Sequence, residues 1–431
     1  MSRVGPQPLP DEDRRALAAL HACGYQVQDI QGIARDQRSF AVRLPFRRRV
    51  LASGVRFASE TVELGGGAFT IAHTLGLDLD AVRVEAVSNA DGFHLRDQCA
   101  TDRAIAAVNG AFSYISDDPA HQPAEPCLDF CCRAGSTVSL PTVTKPAFLV
   151  HGGRPTVRTL PANGTLHIGD RSFCWVGSKE PGASTATENG TLVVFGAANC
   201  RIRYADHPRT GFIRYVRPEE NVTPRAGSVV DAVASGTTAG DHVISALHPG
   251  GGADLFAGSF VLRADAAHAR ELRLGARVRL HSIAGLSAGQ LSSGVSLGPS
   301  AADAAAGRVP AYDESLGVSP FRDVRYARTL VWTTGREIVF RIYDGAPLTD
   351  SFRGVSPAEA ADLLDREGIA PSDAYHLDGG QSSKIAFRCE GSTEVVGNLH
   401  YLKWPQEPET EFRWRGTEGR LLNSCFVLRR I

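Results

Sequence analysis

The stretch Tyr375-His376-Leu377-Asp378-Gly379-Gly380-Gln381-Ser382-Ser383-Lys384 carries the clearest fold signal in the chain. Ala374 to Leu377 is an apolar approach, read as a short strand entering a core. Gly379 and Gly380 permit the positive-φ backbone that a sharp reversal needs. Lys384-Ile385-Ala386-Phe387-Arg388 reads as a strand leaving the core. Asp378 is therefore expected at a strand end, on a Gly-rich bend, followed closely by the hydroxyls of Ser382 and Ser383. Two readings stay open here. A rigid scaffold can aim such a carboxylate into a cleft, and Asp-Gly is also ordinary hairpin chemistry.

Outward from this bend, the C-terminal half is the most legible part. Arg325 to Thr333 and Glu337 to Tyr343 predict two strands joined by a tight hairpin at Thr334-Gly335-Arg336. Counting from that turn puts Arg328 opposite a residue near Arg341 or Ile342, with Arg328 and Asp344 toward one end of the ribbon. A helix follows. Ser356 is its cap, Pro357 suits the first turn, Glu359 completes a capping box, and Gly368 is the stop. Ala360, Leu363 and Leu364 form its apolar stripe. Strand, helix, strand predicts a crossover that brings the Asp344 and Asp378 strand ends to one edge of a sheet. That edge is the expected site.

Toward the N-terminus, Arg56 to Leu64 and Ala68 to Thr74 predict a hairpin about Gly65-Gly66-Gly67, and Ala81 to Val87 another strand. Leu95 to Arg103 reads as a short helix, and Ala104 to Val108 as a buried strand that stops at Asn109-Gly110. Asn109 there either hydrogen-bonds a sugar hydroxyl or phosphate, or closes a turn. Asp11 to His21 reads as a further helix. Residues 137–295 are rich in Gly, Ser, Thr and Val, with strand-like runs such as Thr191–Phe195 and His242–Leu247. The expected division is an N-terminal helical segment (1–55), a first part of the core (56–136), a β-rich insertion or second lobe (137–295), and a second part of the core (296–431) carrying most site motifs. An Ala-rich loop is expected from Ala301 to Gly307. The expected fold class is α+β, a mixed β-sheet core with helices packed on it.

Bulk properties narrow the function. A chain of 431 residues that is 43% hydrophobic can bury a large core. Its net charge of −1, with both signs well mixed, gives no electrostatic case for nucleic acid or an anionic membrane. No apolar run approaches the roughly 18–20 residues of a membrane span. The N-terminus lacks the apolar core of a signal peptide, so a cytoplasmic location is expected. The 9 cysteines are scattered, and the cluster Cys127, Cys131 and Cys132 lacks the second pair that a zinc set needs. No metal ligands are assigned.

His376-Leu377-Asp378-Gly379-Gly380-Gln381-Ser382-Ser383 resembles the LDGGGSS signature of the phosphodiester glycosidase family, with Gln381 in place of a Gly. Asn109-Gly110-Ala111-Phe112 is similar to its NGGFF or NAGFF string, with Ser113 replacing the second Phe. Ser296-Leu297-Gly298-Pro299 is similar to its SGGP-type segment. Tyr326-Ala327-Arg328-Thr329 resembles its PRTA segment, with Ala327 where Pro is usual. Asp344-Gly345 matches its DG strand end, and Arg420 to Val427 its closing strand.

The resemblance implies hydrolysis of a small glycosyl phosphodiester, a sugar-1-phosphodiester or nucleotide-sugar-like molecule. It implies Asp378, Asp344 and Arg328 as catalytic residues, and Asn109, Gly110, Thr329, Gly379, Gly380, Ser382 and Ser383 as substrate-binding ones. Cleaving the sugar–oxygen bond builds positive charge on the ring, which carboxylates stabilise or attack. The phosphate leaves readily, so Arg328 neutralising it matters more than a strong general acid. No cofactor is required, although Ca²⁺ or Mg²⁺ bridging the phosphate is compatible with the pattern. Two alternatives remain at this level: a metal-dependent phosphoesterase cutting P–O in the same pocket, and a non-catalytic sugar-phosphate-binding protein.

Overall fold

The computed structural model describes residues 26–28, 41–43, 46–113, 127–207, 211–215, 217–237, 241–309, 324–345, 352, 354–397, 400–402, 412–414 and 421–431. The helix expected at Asp11–His21 lies outside them. Within 1–55 the described elements are strands: Gln26–Gln28 paired with Ala41–Arg43, and β1 (Arg47–Ala52). β2 (Val55–Glu63) and β3 (Phe69–Asp78) form the expected hairpin, paired from Val55↔Leu77 to Glu63↔Phe69. β4 (Val82–Phe93) follows, then a helix confined to Leu95–Cys99, then β5 (Ala104–Asn109). Every residue of β5 is buried, as its Ala-Ile-Ala-Ala-Val run requires of a strand covered on both faces.

The middle of the chain supplies β6 (Asn163–Ile168), β7 (Arg171–Gly177), β8 (Leu192–Phe195), β9 (Val229–Gly236), β10 (His242–Pro249), β11 (Phe260–Asp265) and β12 (Arg277–Ile283). They pair in the order β6-β7-β8-β11-β9-β10-β12, and β12 pairs back onto β6 to close a 7-strand barrel. An odd ring of strands cannot alternate direction all the way round, and β7–β8 is its parallel pair. Closure removes the sheet edges. Leu166, Trp175, Ile244, Phe260, Leu262 and Ile283 belong to the apolar cluster that fills it.

β13 (Arg328–Thr334), β14 (Glu337–Asp344), α1 (Pro357–Arg366), β15 (Tyr375–His376), β16 (Lys384–Cys389), β17 (Ser392–Gly397) and β18 (Leu422–Arg430) complete the core. One sheet runs β15-β13-β14-β3-β2-β1 and the other β17-β16-β5-β18-β4. All their pairings are antiparallel. The two sheets meet over Phe57, Leu75, Phe340, Phe387 and Phe426. The Phe57 and Phe387 ring centroids are 4.3 Å apart across that interface.

The α+β expectation is overturned. Strands make up 52% and helix 13%, so the protein is mostly β, with antiparallel core sheets in place of a mixed one. Among the described residues only α1 exceeds five residues, and it lies on one sheet through Ala360, Leu363 and Leu364 against Leu330, Trp332 and Tyr343. The error has a physical source: a strand's neighbour and direction are set by distant partners, which no local string displays. Two smaller corrections follow the same line. Ala301–Ala305 is a helix, because the Ser300 side chain caps the Asp303 N–H. The β13–β14 hairpin turns on two residues, Gly335 (φ +55°) and Arg336, so Arg328 stands opposite Tyr343.

α1 carries the expected capping box, with Ser356 and Glu359 each accepting the other's backbone N–H. β14 and β15 are both antiparallel to β13 between them, so they run the same way and end at the same edge. Among the described residues no helix is long and apolar enough to cross a membrane.

Candidate functional site

The Asp378 bend is built where four strand ends converge. β15 ends at His376, and the Leu377 N–H donates to the Thr329 carbonyl of β13 at 2.9 Å. The chain then leaves that sheet: the Asp378 N–H donates to the Gly110 carbonyl beyond β5 at 3.1 Å, and the Gly380 N–H to the Ala327 carbonyl at 2.7 Å. A single 3-10 turn, Gly380–Ser382, delivers the chain into β16. Gly380 has φ +59°, a conformation that favours glycine. Gly110 is needed for space: a Cβ there would meet the Ser424 hydroxyl at 2.7 Å.

Asn109 ties these segments together. Its Nδ2–H donates to the Asp378 carbonyl at 2.7 Å. Its Oδ1 accepts from the Lys384 N–H at 3.1 Å and from the Thr329 hydroxyl at 3.0 Å. Thr329 has one proton, given to Asn109, so the Ser383 hydroxyl 3.0 Å away must donate to Thr329. Asn109, Thr329 and Ser383 are all fully enclosed. Their geometry is that of a scaffold beneath the bend. Asp378 itself is half-buried, and its carboxylate accepts from the Ser382 hydroxyl at 2.5 Å, a short charge-assisted bond.

Asp344 belongs to a second network. It is buried at the end of β14, accepts the Gly345 N–H at 2.7 Å, and lies 3.6 Å from His73 Nε2. His73 Nδ1 is in turn 2.7 Å from the Ser59 hydroxyl, its directly opposite neighbour in the β2–β3 pair. β13 runs between β14 and β15, so the ends of those two strands stand two strand spacings apart, roughly 10 Å. Arg328, also buried, donates Nε–H to the Val355 carbonyl at 2.8 Å and Nη2–H to the Val324 carbonyl at 3.0 Å. Burial, with the nearby Arg328 guanidinium, holds the enclosed His376 imidazole well below its ordinary pKa, so it is neutral.

Asp378, Gly379, Gly380, Ser382, Ser383, Asn109, Gly110 and Thr329 thus form one connected unit, with Arg328 next to it on β13 and Asp344 in the neighbouring network. The sequence reading missed Ser59, His73 and Lys384. One signal was present: Phe69, Ile71, Leu75 and Leu77 are alternating buried positions of β3, and His73 interrupts that apolar series. Lys384, fully buried at the head of β16, is a charge leading the buried apolar run Ile385-Ala386-Phe387. Among the described residues no group of three or more His, Cys, Asp or Glu is placed to hold a metal ion.

No protein-family model and no curated protein matches the chain. Its fold is similar to that of a hypothetical protein from Synechocystis, at TM-score 0.53 and 14% identity over 91% of this chain. The chain spans 65% of that protein's length, and the likeness is one of fold alone. A Burkholderia pseudomallei protein described as exported aligns at TM-score 0.46 and 19% identity, over 84% of this chain and 74% of its own. The zebrafish N-acetylglucosamine-1-phosphodiester alpha-N-acetylglucosaminidase catalytic domain, auto-inhibited by its pro-peptide, aligns at TM-score 0.34 and 11% identity. That alignment covers 94% of this chain and 88% of the zebrafish domain. Neither of these last two likenesses is close enough to carry function.

Proposed function

We propose that the protein is a hydrolase that cleaves the C–O bond between a sugar's anomeric carbon and a phosphodiester. The observation that supports this reading is the half-buried Asp378 carboxylate, held by Ser382 on a bend whose backbone is fixed by Asn109, Gly110 and Ala327. The ordered motif resemblance from Asn109 to Ser383 supports the substrate class. In this mechanism Asp378 takes a proton from a water whose oxygen bonds to the anomeric carbon. The C–O electron pair leaves with the phosphate as a phosphomonoester, and the proton passes from Asp378 to solvent. Arg328 supplies positive charge beside the bend for the departing phosphate. Asn109, with its carbonyl oxygen doubly occupied, positions Asp378 rather than touching the sugar.

Hydrolysis of glycosyl phosphodiesters and nucleotide sugars in ¹⁸O-labelled water, with and without EDTA, tests the reading. Label in the free sugar, lost in Asp378→Asn, is the expected result. Label in the phosphate, abolished by EDTA, would replace it with a metal phosphoesterase. Sugar-phosphate binding without turnover would replace it with a binding protein.

A further inference from the structure

The segment entering β13 presents an aromatic ring to solvent. Tyr326 is 50% exposed and Val324 43% exposed, two of the exposed large apolar side chains among the described residues. Isolated exposed apolar residues are ordinary, but this one stands on an unusually fixed backbone. Arg325, one residue before it, pairs with Glu359 of α1 through Nε at 3.0 Å from both carboxylate oxygens and Nη2 at 2.5 Å. Tyr326 exchanges both backbone hydrogen bonds with Val355, at 3.2 and 2.9 Å. Arg328 ties the segment down further through the Val324 and Val355 carbonyls. Gly354, at φ +88°, allows the close approach, since a Cβ there would lie 2.1 Å from the Tyr326 carbonyl oxygen.

The same segment borders the Asp378 bend. The next residue's carbonyl, on Ala327, accepts the Gly380 N–H. Tyr326 and Arg328 are two apart in extended backbone, so they share a face. We propose that the Tyr326 ring is the platform on which the sugar ring of the glycosyl phosphodiester packs, which rests on the glycosidase reading. A pyranose has an apolar C–H face and a polar rim, and a rigid aromatic ring with a hydroxyl edge matches both. Because the backbone is immobilised beforehand, binding costs little ordering entropy.

Steady-state kinetics of wild type, Tyr326→Ala and Tyr326→Trp on the best phosphodiester substrate test this, alongside saturation-transfer NMR with methyl glycosides of glucose, mannose, galactose and N-acetylglucosamine. Tyr326→Ala is expected to raise KM about tenfold, more than it lowers kcat, and to lose saturation transfer. Tyr326→Trp is expected to keep both. Wild-type turnover with an unchanged KM in Tyr326→Ala overturns the platform and leaves the glycosidase standing. Absent turnover with saturation that Tyr326→Ala abolishes keeps the platform and removes the hydrolase. Saturation in neither protein overturns the platform.

Discussion

Asp231 and Asp378 are both carboxylates held in place by hydrogen bonding, and they are held for opposite ends. Asp231, at the start of β9, is fully buried and receives Arg263 of β11 bidentately, at 2.7 and 2.8 Å. The Thr223 hydroxyl donates to the same carboxylate and accepts the Gly252 and Ala253 N–H groups. Arg263 also lies 4.8 Å over the Phe195 ring. A charge taken wholly out of water needs an opposite charge and every lone pair filled. Asp378 stays half-exposed, and much of what fixes it acts on its backbone. There, the fold's hydrogen bonds specify direction instead of compensating burial.

That contrast fixes what each substitution should do. Asp378→Asn keeps the shape of the bend and removes the base, so turnover should fall about 10³-fold with little change in melting temperature. Asp231→Ala strands a buried guanidinium, and urea unfolding should show a loss of about 3–5 kcal/mol. Adding Arg263→Met should return most of it, because the uncompensated charge is then gone. Equal destabilisation by Asp378→Asn and Asp231→Ala would erase the distinction between the two networks.

His242 shows a third way to bury a titratable group, by keeping it neutral. It lies 4.7 Å from the Phe260 ring, and burial lowers its pKa from 6.5 to about 4 against the opposing pull of Asp241 and the Thr137 backbone. Above 6.5 the imidazole is neutral folded and unfolded. Below it, the unfolded chain takes up a proton that the folded protein refuses until about 4, so stability falls as pH drops through that window. The full loss should be about 3 kcal/mol. Urea midpoints across that pH range should decline in wild type and flatten in His242→Gln. The buried, neutral His376 adds a residual slope of the same sign. An unchanged slope in His242→Gln would show that His242 is not the group responsible.

These networks also mark where the sequence could be read. The β13–β14 hairpin and α1 were legible because Gly335 and the Ser356–Glu359 box act within a few residues. The register was off by one because the turn uses two residues instead of three, and one residue is enough to shift every partner. The barrel was legible only as a β-rich stretch, since Thr165 meets Ser282 across 117 residues of chain. The Asp378 bend announced itself through its glycines. What holds it did not: Asn109 finds its partners 220, 269 and 275 residues away. An Asn before a Gly reads as a turn former, and nothing adjacent tells a turn former from a buried three-way tie.

Asn109→Asp puts the comparison under its smallest and most specific load, because Asn109 is enclosed like Asp231 yet serves Asp378. The new carboxylate keeps both acceptor bonds, from Thr329 and the Lys384 N–H. It loses the donor to the Asp378 carbonyl, leaving two oxygens facing each other where a 2.7 Å hydrogen bond stood. Stability should fall by about 2 kcal/mol at neutral pH. Turnover should fall through kcat more than through KM, since the reacting carboxylate and not the sugar contact is displaced. Acidification offers the sharper test: once protonated, the introduced carboxyl can donate to the Asp378 carbonyl in place of the amide, so the variant should lose less stability than wild type as pH falls. A variant that keeps wild-type kcat while losing stability would make Asn109 a purely structural tie, and the Asp378 bend would then resemble the Asp231 lock after all.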